Sequence, residues 1–206
     1  MSLRPLYYVA DPMCSWCWGF RPVLERVLAA LPENLSLRYV LGGLAPDSDE
    51  PMPEHVRGYV QDAWRSVAVR TGARFNWEFW ERCQPRRSTY PSCRAVLAAA
   101  SQRAGAGPAM FGAIQRAYYE QARNPSLAST LVELAGEIGL DTAVFARDLA
   151  SPEVEELLQA DLALRDRLGV TGFPSLVLET ESGPRLLARG YAEAGEVLEA
   201  LRRARA

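Results

Sequence analysis

The chain has 206 residues, 49% of them hydrophobic, enough for one sizeable core. All 23 basic residues are arginine against 25 acidic ones, and the net charge of -2 gives no long-range bias toward nucleic acid or anionic membrane. Without lysine there is no PLP Schiff base, Walker phosphate loop or lysine general base, and with one histidine, His55, there is no His-rich metal site.

The chain opens with Leu6-Tyr7-Tyr8-Val9-Ala10, apolar on both faces as in a strand covered by helices. This run is too short for a signal-peptide core or a membrane span, so the chain is expected to be cytoplasmic, with no membrane partner. Cys14-Ser15-Trp16-Cys17 follows. The apolar residues Phe20, Val23, Leu24, Val27, Leu28 and Leu31 then define a helix over 19–31, stopped by Pro32 and Asn34. Leu35 to Leu41 alternates like a second strand and ends at Gly42-Gly43, so strand, helix and strand form a right-handed parallel unit.

A CxxC where a strand hands over to a helix is a redox-site signature. Side chains three apart on a helix lie about 5–6 Å apart, within the roughly 4.4–6.8 Å Cα separation of a disulfide. The unpaired N–H groups of the first turn favour a thiolate at Cys14. Cys14 is therefore the expected nucleophile and Cys17 the resolving thiol. Four cysteines are too few for a disulfide framework, and in a reducing compartment a disulfide is usually transient and catalytic. A zinc finger lacks its second half, because Cys83 and Cys93 are farther apart than the usual spacing of about two to four residues; no metal is expected.

A linker from Ala45 to Pro53 reads as a boundary, and beyond it every periodic segment is helical. His55 sits near the start of the first of these helices, a place that suits capping or decoration better than chemistry. Its inward stripe reads Val56, Tyr59, Val60, Ala63, Trp64 and Val67. Cys93, Val96, Leu97, Ala100 and Ala104 form another stripe after Pro91-Ser92, and Pro108 opens the next helix. Ser129, Asp141 and Ser151-Pro152 mark three further starts, the last helix running through Val154, Leu157, Leu158, Leu162 and Leu168 to Gly169. Thr171-Gly172-Phe173-Pro174 then leads into Leu176-Val177-Leu178, a hairpin partner Arg185 to Ala188, and a final helix with Val197, Leu198 and Leu201 inward. The division is thus a discontinuous domain, 1–48 and 169–206, interrupted by a helical insertion, 49–168.

This order, with CxxC near the start and T-G-F-P before the hairpin, resembles the DsbA-like branch of the thioredoxin superfamily. The segment Asp11 to Phe20 is most similar to its FrnE-like members, described as predicted protein-disulfide isomerases. The resemblance implies an α/β, thioredoxin-like fold: a mixed four-stranded sheet flanked by helices, with a large all-helical insertion. It implies a thiol-disulfide oxidoreductase or isomerase, in which Cys14 attacks and Cys17 resolves. Pro174 would be a cis-proline beside Cys14, and Phe173 would offer backbone groups to a substrate strand. Protein or peptide disulfides are the implied partners, with glutathione open as reductant or substrate and no cofactor beyond the redox-active disulfide. Ser15-Trp16 holds no histidine, so strong oxidising power does not carry over.

Around this centre, one of Trp16 and Trp18 is expected to flank the site as an apolar contact for substrates, the part assigned to Trp16, and the other to be core. Asp11 reads either as a proton-transfer group for the buried thiol or as an exposed turn former before Pro12. Cys83 and Cys93 read either as an auxiliary dithiol or as separate thiols, since sequence spacing does not set a Cα distance. Two other functions remain open: a kappa-class glutathione-dependent transferase or isomerase, which typically lacks the CxxC, and a metal-handling or adaptor protein holding a soft ion between Cys14 and Cys17.

Overall fold

The computed structural model describes residues 3–205. Strand β1 (Arg4–Ala10) lies inside a four-stranded sheet of order β2-β1-β3-β4. β2 (Leu35–Leu41) runs parallel to it, with Leu6 opposite Leu37, while β3 (Ser175–Thr180) runs antiparallel, with Tyr8 opposite Leu176. β4 (Gly183–Arg189) closes the sheet as the antiparallel hairpin partner of β3. A parallel pair needs a crossover, and α1 (Ser15–Ala29) supplies it between β1 and β2. This is the mixed sheet expected from the sequence.

Side chains alternate across a strand, and β1 uses both faces. Leu6, Tyr8 and Ala10 enter the main core with Phe20, Val23 and Val27 of α1, whereas Tyr7 and Val9 meet Val40, Val177 and Leu164 on the other side. That double burial explains why β1 shows no polar alternation.

Between β2 and β3 the chain forms α2 (Glu54–Thr71), α3 (Phe79–Arg82), α4 (Tyr90–Gln102), α5 (Ala106–Tyr119), α6 (Ala128–Glu137), α7 (Thr142–Leu149) and α8 (Pro152–Arg167); α9 (Ala194–Arg205) follows β4. These inserted helices share the sheet's core: Cys93, Val96, Phe111, Ile114 and Leu158 pack in one apolar cluster with Tyr8, Cys17 and Leu176. A second cluster gathers Trp18 of α1 with Trp64, Phe79, Trp80, Tyr118 and Tyr119 of the insertion.

Several boundaries differ from the sequence reading, each for a local reason. Helix α1 begins at Ser15, because Cys14 takes the extended N-cap conformation and its carbonyl accepts from Trp18 N–H at 3.1 Å. It ends at Ala29, short of 31, since the residue before a proline is pushed out of the α region. Tyr59 is 68% exposed and Leu157 43% exposed; the buried stripes run through Val60, Trp64 and Val67 in α2 and through Val154, Leu158 and Leu162 in α8. Ser129 falls inside α6, whose N-cap is Leu127, and Ala104 lies beyond the end of α4. The caps at Asp141 and Ser151 are as expected: Asp141 accepts from the amides of Ala143 and Val144, and Ser151 from that of Val154.

One side chain ties the insertion to the sheet. Asp11, in the turn after β1, is fully buried, so the exposed turn former is not what this residue is. Its carboxylate accepts from Met13 N–H (2.8 Å), from Leu44 N–H (2.7 Å) beyond β2, and from the Thr89 hydroxyl (2.6 Å) at the cap of α4. The Cys93 thiol lies 3.6 Å from the same carboxylate. Burial pushes the Asp11 carboxyl above its ordinary range, and the bonds from Thr89, Leu44, Met13 and Cys93 oppose that rise. Asp11→Ala is expected to lower the unfolding free energy by about 3 kcal/mol, because each stranded buried donor costs about 1–3 kcal/mol. Urea denaturation measures this, and a loss under about 0.5 kcal/mol, the range of an inert surface change, would contradict the tie.

Candidate functional site

The turn that carries Asp11 also aims the CxxC. Met13 N–H folds back onto the Asp11 carboxylate and Cys14 N–H onto the Asp11 carbonyl at 3.0 Å, so the chain leaves β1 and enters α1 with Cys14 as its cap. Cys14 is 7% exposed, whereas Cys17, one turn on, is 1% exposed. Both thiols are free. Burial pushes the Cys17 thiol well above the usual thiol range, and the neighbouring Cys14 acts in the same direction. Cys17 therefore favours its protonated form and is the more deeply buried of the two sulfurs.

The T-G-F-P segment comes to the same place. The Phe173–Pro174 peptide is cis, and the Phe173 carbonyl lies 3.8 Å from Cys14 Sγ. Two contacts hold this segment: Pro174 C=O accepts from Gly190 N–H at 2.7 Å, and the Phe173 ring lies over Gly42 at the end of β2. A Cβ on Gly42 would meet that ring at 2.3 Å, so only glycine leaves the ring where it is.

The two tryptophans divide as anticipated in burial. Trp16 is half-buried beside Tyr191, their ring centroids 6.3 Å apart, and Arg70 lies over the Tyr191 ring at 4.8 Å. Trp18 is buried, donates from Nε1 to the Arg74 carbonyl at 3.0 Å and stacks on Tyr119.

The other sequence candidates are placed elsewhere. The Asp11 carboxylate spends its oxygens on Met13, Leu44, Thr89 and Cys93, and its charge adds to the rise of the Cys17 thiol. Cys83 and Cys93 are committed to different partners: Cys83 Sγ lies 3.2 Å from the Ala122 carbonyl in the aromatic cluster, and Cys93 faces Asp11 in the main core. Burial raises both of these thiols above the ordinary range. His55 is exposed near the start of α2. Among the described residues no cluster of three or more His, Cys, Asp or Glu forms a metal cage, and no helix is long and apolar enough to cross a membrane.

Sequence reasoning missed Tyr8, buried in the same core cluster as both thiols, and Gly42. Tyr8 had a signal: alternation along β1 puts it on the face of Leu6 and Ala10, under α1. The need for glycine at 42 depends on a ring more than a hundred positions away, and nothing local announces it.

Comparisons with known proteins agree with this geometry. A Nitrosomonas europaea structure described as a "putative protein disulfide isomerase" superposes with TM-score 0.87 at 30% identity, covering 98% of this chain and 97% of that one. The cytosolic disulfide reductase DsbM of Pseudomonas aeruginosa superposes with TM-score 0.79 at 28% identity, covering 98% of each chain. Its structure with GSH gives 0.77 at 26%, over 98% of this chain and all (100%) of that one. Among curated proteins, the ClpXP adapter protein SpxH of Bacillus subtilis is 26% identical over 172 residues, 83% of this chain but only 56% of the relative's length. A family model described as Thioredoxin matches residues 7–193. With that span, a sheet of order β2-β1-β3-β4 and neighbours that are DsbA-type oxidoreductases, the chain belongs to the thioredoxin family.

Proposed function

We propose that this protein is a thiol-disulfide oxidoreductase working through a Cys14/Cys17 dithiol as a reductase or isomerase of protein, peptide or glutathione disulfides. The observation that carries this reading is the pairing of Cys14, 7% exposed at a helix N-terminus and 3.8 Å from the Phe173 carbonyl, with the more deeply buried Cys17, whose thiol burial pushes toward its protonated form. The Cys14 thiolate attacks one sulfur of a substrate disulfide, R–S–S–R′; the Cys14–S–R bond forms and R′–S⁻ leaves. Cys17 then loses its proton and attacks the Cys14 sulfur, closing the Cys14–Cys17 disulfide and expelling R–S⁻. Two electrons pass from the dithiol to the substrate, and no metal or bound cofactor is needed.

In this reading Phe173 presents its backbone to an extended substrate segment, Pro174 keeps that segment beside Cys14, and Trp16 supplies an apolar contact at the rim. The disulfide reductase DsbM supports the reductase direction and its structure with GSH supports glutathione as reductant or substrate. DsbM is described as cytosolic, and a cytosolic setting would keep this dithiol reduced between turnovers. We place the thiol chemistry in a unit formed by residues 1–48 and 169–206, with 49–168 shaping the surface around it. The SpxH relatives favour a second reading, an adapter whose job is binding; a co-purification assay with ClpXP, run on Cys14→Ser, separates the two because binding alone needs no exchange.

Cys14→Ser is expected to abolish reduction of a peptide disulfide, and Cys17→Ser to accumulate mixed disulfides visible by mass spectrometry; undiminished turnover in Cys14→Ser would overturn the assignment. Gly42→Ala forces the Phe173 ring aside and is expected to cost about 1–3 kcal/mol of stability, as overpacking does. Its kcat/KM for peptide disulfides should fall more than the alkylation rate of Cys14, measured side by side. Equal effects on both would contradict the role of the Phe173 backbone.

A further inference from the structure

A cavity of about 290 Å³ runs between α1 and α5 and reaches Cys17. Its walls grade from wet to dry. Glu25, Leu28, Pro108 and Ala109 at one end are exposed, whereas Tyr8 (1%), Cys17 (1%) and Gln115 (2%) at the other are buried. The inner end is polar despite that burial. Tyr8 and Cys17 both line it, Tyr39 stands edge-on to Tyr8 with centroids 5.3 Å apart, and Gln115 Nε2 has no hydrogen-bond partner among the described residues. A buried amide donor without a partner costs about 1–3 kcal/mol unless water serves it, and this volume is far above what one water needs.

Resting on the dithiol reading, we propose that this cavity is a water-filled proton route to Cys17, with Tyr8 as the relay at its inner end and Gln115 as the residue that holds the water there. The chemistry needs such a route. When Cys17 attacks the Cys14–S–R disulfide, its S–H proton must leave as the new S–S bond forms and R–S⁻ departs. The thiol is held protonated by burial, so the proton does not leave unaided. No hydrogen bond joins Cys17 to the Asp11 carboxylate, whose oxygens accept from Met13, Leu44, Thr89 and Cys93, so that carboxylate does not receive the proton directly. Transfer therefore runs from Cys17 to the Tyr8 oxygen as Tyr8 passes its own proton to cavity water, leaving Tyr8 neutral and the charge in solvent.

The groups that face Cys17 are few. Cys14 lies on its own turn, Tyr8 comes from β1, Asp11 acts from the turn after β1, and the Tyr119 phenol of α5, pushed up chiefly by burial, is raised further by the charges of Tyr118 and of both thiols. Arg21, paired with Glu25 at 3.1 Å, and Arg116 flank the cavity, together with Tyr39 of β2.

The test uses one equivalent of Ellman's reagent on the reduced full chain in a stopped-flow instrument. The first release of thionitrobenzoate reports Cys14 attack, and the second reports resolution by Cys17. Tyr8→Phe and Gln115→Leu are each expected to leave the first phase unchanged and to slow the second about tenfold at neutral pH, a modest share of what general acid–base catalysis supplies. The deficit should shrink as pH rises, because hydroxide then removes the proton directly, and a purely structural role would not produce that profile. A second phase that keeps wild-type rate and pH profile in both variants overturns the proton route. If Tyr8→Phe does not fold, Gln115→Leu decides alone. Absence of a second release in the unaltered protein overturns the dithiol reading itself, and the proton route with it.

Discussion

A carboxylate taken out of water must be given donors, and the burial of Asp11 organises this molecule around that need. The donors come from three places: Met13 in the turn into α1, Leu44 past the end of β2, and Thr89 with Cys93 at the start of α4. The CxxC turn, the sheet and the insertion are thereby held by one side chain. The Phe173 segment is positioned from the sheet side, by Gly42 beneath its ring and Gly190 on its proline carbonyl. Cys14 thus meets a surface assembled from opposite ends of the chain.

The two thiols divide their properties through burial. A three-residue offset in a helix turns Cys17 beneath Cys14: both sulfurs join the core cluster of Tyr8 and Phe20, with Cys17 1% exposed and Cys14, at the helix cap, 7% exposed. In the proposed dithiol reading, that asymmetry makes Cys14 the attacking sulfur and lets Cys17 keep its proton until resolution.

The CxxC, the strands around it and the T-G-F-P element were legible because their signals are local: apolar runs, a cysteine spacing, a proline at a strand start. The resemblance to DsbA-like proteins added the cis peptide at Phe173–Pro174, which spacing alone did not distinguish from trans. Asp11 was seen as chemically interesting but not as buried, since its donors at Leu44 and Thr89 are distant in sequence. Cys83 and Cys93 likewise carried no sign of their separate partners, Ala122 and Asp11. Tyr59 and Leu157 were misplaced for a simpler reason: apolar residues at the flank of a stripe pass for part of it when only period is read. What local pattern cannot show is which distant group meets a side chain.

In the CxxC, Cys14 is the less buried thiol, and Cys17 is buried and held toward its protonated form. Brief alkylation of the reduced native protein with iodoacetamide, mapped by peptide mass spectrometry across a pH series, tests this difference most directly. Within the CxxC, Cys14 should be labelled well ahead of Cys17 at neutral pH, with Cys17 and Cys93 labelled only under strongly alkaline conditions or on unfolding; the half-buried Cys83 is mapped separately. Labelling of Cys17 ahead of Cys14, or of both at one rate at neutral pH, would contradict the account.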